Sequence, residues 1–131
     1  MEEPLWISKK AVLAMHQEQL AEHGGSEGIR DETLLDSALA KPQNVLAHAE
    51  APDIFRLAAS YAFGIARDHA FVDGNKRTAL VVSLTFLDRN GWDLEASKEA
   101  VYFTFLHLGD GSLSEEDLTA WFAKHAVLLK K

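Results

Sequence analysis

The stretch His69–Gly91, HAFVDGNKRTALVVSLTFLDRNG, joins two segments of opposite character. Its second half carries Ala79, Leu80, Val81, Val82, Leu84, Phe86 and Leu87. At 3.6 residues per turn these side chains cover nearly every side of a helix, and a helix apolar all round belongs at the centre of a fold. Asn90-Gly91 closes it. The first half places an imidazole, a carboxylate, an amide, an ammonium and a guanidinium within nine residues, His69 to Arg77. The pairing predicts a buried central helix over Thr78–Asn90, with a polar loop at its N-terminus near Gly74 or Asn75.

The flanking sequence reads as more helices. Ser8 can cap a first one carrying Val12, Leu13, Met15 and Leu20, and Gly24-Gly25 ends it. Asp31 caps a second, short helix with Leu34, Leu35, Ala38 and Leu39, and Pro42 is expected to stop it. Val45 to Ala51 reads as irregular. Pro52 suits the first turn of a third helix, where Ile54, Leu57, Ala58, Tyr61, Ala62 and Ile65 recur at helical spacing and small residues permit close packing. That helix ends near Arg67-Asp68. After the central helix, "WDLEA" reads as a short extended piece. Ser97 caps a helix with Val101, Phe103, Phe105 and Leu108. Ser114 with Asp117 forms a capping box for a last helix carrying Leu118, Trp121, Phe122, Ala126 and Leu129. Nothing forms a convincing period-two strand pair. The expected fold is all-α, about six helices around a buried central one, in a single domain over residues 1–131.

Composition bounds the function. The 131 residues suffice for one core, 47% of them are hydrophobic, and no cysteine is present. Disulfide frameworks, thiolate metal sites and cysteine nucleophiles are thereby excluded, and a reducing compartment fits. The acidic start "MEEPLWISKK" lacks an apolar signal core, and no apolar run is long enough to span a membrane, so a cytoplasmic location without membrane partners is expected. The net charge of −7 argues against direct nucleic-acid binding.

The polar loop has its own chemistry. The first N–H groups of a helix lack intrahelical partners, and the helix dipole adds partial positive charge there, so such an end binds phosphates. Gly74 removes the Cβ where a ligand oxygen approaches. Asn75 can donate its amide, Lys76 adds a point charge and Arg77 a planar fork of donors. His69 can accept the proton of an attacking hydroxyl. Asp73 can hold magnesium together with phosphate oxygens. Base, metal ligand and phosphate clamp are the parts that phosphoryl or nucleotidyl transfer requires. A polar capping loop has a similar composition, so residue types alone leave that second reading open.

"HAFVDGNKR" resembles the Fic/Doc motif, H-x-F-x-[D/E/N]-[A/G]-N-x-R, and its Asn-Lys-Arg ending is similar to the Doc (death-on-curing) branch. The likeness extends through "MHQEQLAEHGGSEGIRD", "LLDSALAKPQN" and "ALVVSLTFLDRNG", from about Trp6 onward, and weakens after Ser97. The resemblance implies the all-α Fic/Doc fold. Fic members usually transfer AMP from ATP to a protein hydroxyl. Doc-type members are described as kinases and as toxins that phosphorylate elongation factor Tu and halt translation. By this resemblance His69 matches the catalytic base, Asp73 the acidic position that handles magnesium or orients substrate, and Asn75, Lys76 and Arg77 the contacts to nucleotide phosphates.

Two departures from the AMP-transferring pattern favour the kinase branch. Lys76 stands where those motifs carry a second glycine, and Leu80 stands where they carry a second arginine. A lysine fills space and adds charge that a glycine leaves to the nucleotide, so the γ-phosphate rather than the α-phosphate is expected to face the acceptor. The inhibitory pattern [S/T]-x-x-x-E-[G/N] found in many Fic enzymes is unmatched: Ser112 and Glu116 are followed by Asp117. A brake in trans is then expected, a Phd-like antitoxin of a type II toxin–antitoxin pair, whose basic residues would suit an acidic surface. The alternatives are a Fic-type protein adenylyltransferase and a non-enzymatic nucleotide- or partner-binding module.

The other histidines show no metal spacing. His16 matches a position often histidine in the Doc first helix and reads either as a support for the site or as a packing residue. Arg67 reads equally as a substrate or antitoxin contact and as a helix C-terminal charge. Trp6, Trp92 and Trp121 read as packing, and Asp110 and Glu115–Asp117 as loop and capping residues.

Overall fold

Side-chain caps set most of the element boundaries in the computed structural model, which describes residues 1–129. The described residues form six helices: α1 Lys9–His23, α2 Glu32–His48, α3 Ile54–Asp68, α4 Asn75–Arg89, α5 Lys98–Asp110 and α6 Glu115–His125. Two short strands, β1 Trp92–Leu94 and β2 Ala126–Leu128, form an antiparallel ribbon. Ser8, Asp31, Asp53, Ser97 and Ser114 each accept a backbone N–H from the first turn of their helix. These bonds satisfy donors that the helix itself cannot. At α6 the capping box is complete, with Asp117 reaching back to the Ser114 N–H.

α3 and α4 form the centre. α3 buries nine of its residues, among them Leu57, Tyr61 and Ile65. Its small residues bring neighbours close: a Cβ on Gly64 would sit 3.3 Å from the Ala38 Cβ of α2. α4 buries Ala79, Val82, Phe86 and Leu87. One continuous core joins these to Val12 of α1, Leu35 of α2, Leu108 of α5 and Phe122 of α6. The tryptophans pack as expected: Trp6 stacks on Phe86, Trp92 meets Phe55 edge-on, and Trp121 leans on Phe122.

Three expectations are corrected. Pro42 does not stop the second helix; it lies inside α2, which runs on to His48, so the irregular segment begins only at Ala49. An interior proline costs about 3 kcal/mol. Burial of Pro42, together with packing of Val45 and Leu46 on the core, offsets this. Pro52 lies outside the third helix, because Asp53 takes the capping position and Ile54 starts the turn.

The last helix does not reach Ala126 and Leu129. It ends at His125, and Ala126–Leu128 pairs with β1 in the register Trp92↔Leu128, Asp93↔Val127, Leu94↔Ala126. Backbone bonds from Glu95 N–H to His125 C=O (2.8 Å) and from Leu129 N–H to Gly91 C=O (3.0 Å) extend the ribbon. The strand partner lies more than thirty residues away, beyond the reach of local periodicity. The ribbon closes the C-terminal end of α4 and leaves its N-terminal end to the polar loop.

Candidate active site

The site begins where α3 stops. His69 adopts a left-handed conformation (φ 50°) at the C-cap, which turns the chain sharply. Ala70 and Phe71 then plunge into the core, each 1% exposed. Arg30 fixes the corner from outside: its Nε donates to the His69 carbonyl (2.7 Å) and its Nη2 to the Asp68 carbonyl (3.1 Å). These bonds satisfy carbonyls that the helix end leaves free. Backbone bonds from Arg30 and Asp31 N–H to the Ala70 carbonyl, and from Val72 N–H to the Gly28 carbonyl, tie the two loops together. The His69 backbone is held while its side chain stays exposed. A non-glycine residue in this region is uncommon, and such strain concentrates at functional positions.

Below the corner, Phe71 anchors the loop. Its ring stacks on His16 of α1, with centroids 3.8 Å apart and planes 10° apart. His16 is 2% exposed and its Nε2 lies 2.8 Å from the Asp73 carbonyl oxygen. A carbonyl only accepts, so Nε2 carries the proton and donates. His16 thus packs in the core and also holds the backbone of the motif loop. Asn75 holds the loop from the other side: its Oδ1 accepts the Phe71 N–H (3.1 Å) and its Nδ2 donates to the Phe71 carbonyl (3.0 Å).

Gly74 is the N-cap of α4, with φ 78°, a conformation that glycine adopts without penalty. Among the described residues no side chain caps this end; Asp73, just before it, accepts the Gly74 N–H on Oδ1 at 2.9 Å and the Ser26 N–H on Oδ2 at 3.2 Å. Close approach of the α1–α2 turn requires Gly25, where a Cβ would stand 2.9 Å from Asp73 Oδ2.

Every residue singled out in the motif, His69, Asp73, Gly74, Asn75, Lys76 and Arg77, lines one cavity of about 720 Å³. Its floor is the first turn of α4, whose leading N–H groups have no intrahelical partners. The opposite wall is α5, with Val101, Tyr102, Phe105, Leu106, Gly109 and Asp110. A cationic, donor-rich floor faces a largely apolar wall, and the size suits a small-molecule ligand. Hydrogen bonds from Ser112, through its hydroxyl and its N–H, hold the Asp110 carboxyl below the ordinary 3.8.

Two of the expected site residues also hold the loop. Asn75, expected to donate its amide to phosphate, bonds both polar groups of the Phe71 backbone, because the buried loop backbone has no other partner there. Asp73, expected to hold magnesium together with phosphate oxygens, accepts a backbone N–H on each carboxylate oxygen. The α5 wall and Arg30 escaped the sequence reading. Neither sits in a motif, and each reaches the site only through tertiary packing.

The fold thus gathers a histidine, a carboxylate and two cations at the N-terminus of its central helix. The chain is a member of the Fic/Doc family, whose model, described as the Fic/DOC family, matches residues 6–87. It is 36% identical over 98 residues to a protein of Escherichia phage P1 named protein kinase doc, covering 75% of this chain and 78% of that one. It is 46% identical over 74 residues to toxin Doc of Mycolicibacterium smegmatis, covering 56% of this chain and 57% of that one.

Proposed function

We propose that the chain is a Doc-like toxin kinase, which moves the γ-phosphate of ATP to a serine or threonine of a protein substrate. The observation that carries this reading is the convergence of His69, Lys76, Arg77 and the open end of α4 on one cavity. Relatedness to a protein named protein kinase doc supports the kinase branch, as does Lys76.

The residues present fit the phosphates of ATP. Gly74 presents no Cβ, the N–H groups of Asn75, Lys76 and Arg77 point out of the helix start, and two cations flank them. Magnesium fits in a narrower sense. Among the described residues no three histidine or acidic side chains group into a metal site. Asp73 offers one carboxylate already bonded to two N–H groups. That donor set suits an ion that arrives on the nucleotide and keeps most of its oxygen ligands there. Such an ion would neutralise charge on the phosphate oxygens.

The chain's own groups do the rest. His69 takes the proton of the acceptor hydroxyl on an imidazole nitrogen as the new O–P bond forms and ADP leaves. Lys76 and Arg77 stabilise charge on the transferring group. Asp73 and Asn75 hold the loop that aims them. The acceptor is read as elongation factor Tu, and the brake as a Phd-like antitoxin with basic residues, which the net charge of −7 supports. The continuous core supports a single domain over 1–131. No described helix is long and apolar enough to cross a membrane, and we read the location as cytoplasmic.

The test is to incubate the protein with cell extract and γ- or α-labelled ATP. Label from the γ position on protein, lost in His69→Ala together with growth arrest, is the expected result. Label from the α position would assign a Fic-type adenylyltransferase instead. Growth arrest that persists in His69→Ala would point to a binding module.

A further inference from the structure

Gly109 faces the first turn of α4 across the cavity. It lies inside α5, one residue before the helix ends, and its φ is not positive. Neither a turn nor a left-handed backbone asks for glycine there, and glycine weakens a helix relative to alanine. The space it leaves is filled by Lys76. A Cβ built on Gly109 would overlap Lys76 Cδ and stand 2.9 Å from Cγ and 3.6 Å from Cε. The aliphatic stem of Lys76 therefore passes directly over Gly109 of α5. Among the described residues no carboxylate forms an ion pair with the Lys76 ammonium.

Lys76 is exposed, so this stretch of stem over Gly109 is the contact that guides an ammonium without an ion-pair partner. We infer that Gly109 is a positioning residue of the transfer reaction: its missing side chain sets the path of Lys76 and so the point where the ammonium meets the phosphate. This inference rests on the phosphotransfer reading of the same site. It links two positions. The observed path of Lys76 leaves no room for a Cβ at 109, whereas a glycine at 76 would make no such demand. Selectivity for the γ-phosphate is then shared between α4 and α5, although the family match ends at residue 87.

The test is a double-mutant cycle on the full chain: wild type, Gly109→Ala, Lys76→Ala and the double variant. The readouts are the thermal midpoint, kcat and KM for ATP in γ-phosphate transfer, and the ATP dissociation constant. Gly109→Ala is expected to keep or slightly raise the midpoint, since alanine favours helix, while transfer falls by roughly 10- to 100-fold through misplacement of the ammonium by about 1 Å. In the Lys76→Ala background the same change should alter transfer by less than about twofold, because its partner is gone. Wild-type rates in Gly109→Ala, or an equal loss in both backgrounds, would overturn the inference. If the wild-type chain transfers no label, the phosphotransfer reading fails by itself. The dissociation constants then decide the coupling: non-additivity upholds the Lys76–Gly109 linkage, and additivity ends it.

Discussion

Replacing Asn75 by alanine separates two accounts of this residue. In the structure its amide holds both polar groups of the Phe71 backbone, at 3.1 and 3.0 Å, in a place where Asn75 is 9% and Phe71 1% exposed. Alanine would leave a buried N–H and a buried C=O without partners. Each such loss costs about 1–3 kcal/mol, and partial opening of the loop to water brings the pair to about 2–4 kcal/mol. Unfolding entropy of about 2.1 cal/mol/K per residue over 131 residues converts this to a fall of about 7–14 °C in thermal midpoint. Asn75→Asp should lie between alanine and wild type. It keeps the acceptor for Phe71 N–H but sets a carboxylate against the Phe71 carbonyl, partly relieved by the dipole of α4. Calorimetry gives the midpoint, and amide exchange at Phe71 shows whether the loop opens locally. A midpoint within about 2 °C of wild type, with Phe71 exchange unchanged and ATP binding lost, would refute the reasoning. It would return Asn75 to the role of a free phosphate donor.

Two further outcomes follow from groups remote from the cavity. Glu115 is 8% exposed and binds Lys41 Nζ at 2.6 Å and Arg56 Nε at 2.9 Å, joining α2, α3 and α6. Glu115→Ala should lower the urea midpoint by the equivalent of about 2 kcal/mol at unchanged slope, less than for a fully buried pair because both cations can rehydrate. Tyr61 is buried, which pushes its phenol above the ordinary 10.0, against the opposing bond to the Ile7 backbone. The folded chain thus holds this proton more tightly than the unfolded one. The stability it brings is complete below pH 10 and declines as pH rises toward the folded value. Tyr61→Phe should flatten that decline, and in a Tyr102→Phe background tyrosinate absorbance follows Tyr61 alone.

Local chemistry was legible in the sequence. Ser8, Asp31, Ser97 and Ser114 cap because a short polar side chain reaches the N–H groups two or three residues on. The apolar run after Thr78 reads as the central helix because its spacing leaves no polar face. The motif residues could be gathered without a structure, since His69 to Arg77 are contiguous and a helix end focuses them.

What escaped depends on partners far away in the chain. Pro42 is tolerated because its neighbours have a core to enter. Val127 lies in a strand because Trp92–Leu94 offers an edge. Glu115 is an ion-pair anchor only once Lys41 and Arg56 stand beside it, although its position at a helix start suggested no more than capping. The sequence thus determined which groups stand at the start of α4. The direction in which each side chain points was decided by tertiary structure. A buried backbone claims the Asn75 amide, the α1–α2 turn claims the Asp73 carboxylate, and a bare glycine on α5 gives Lys76 its path. Side-chain types follow from the letters, but orientation follows from which polar groups are left without water when the helices close.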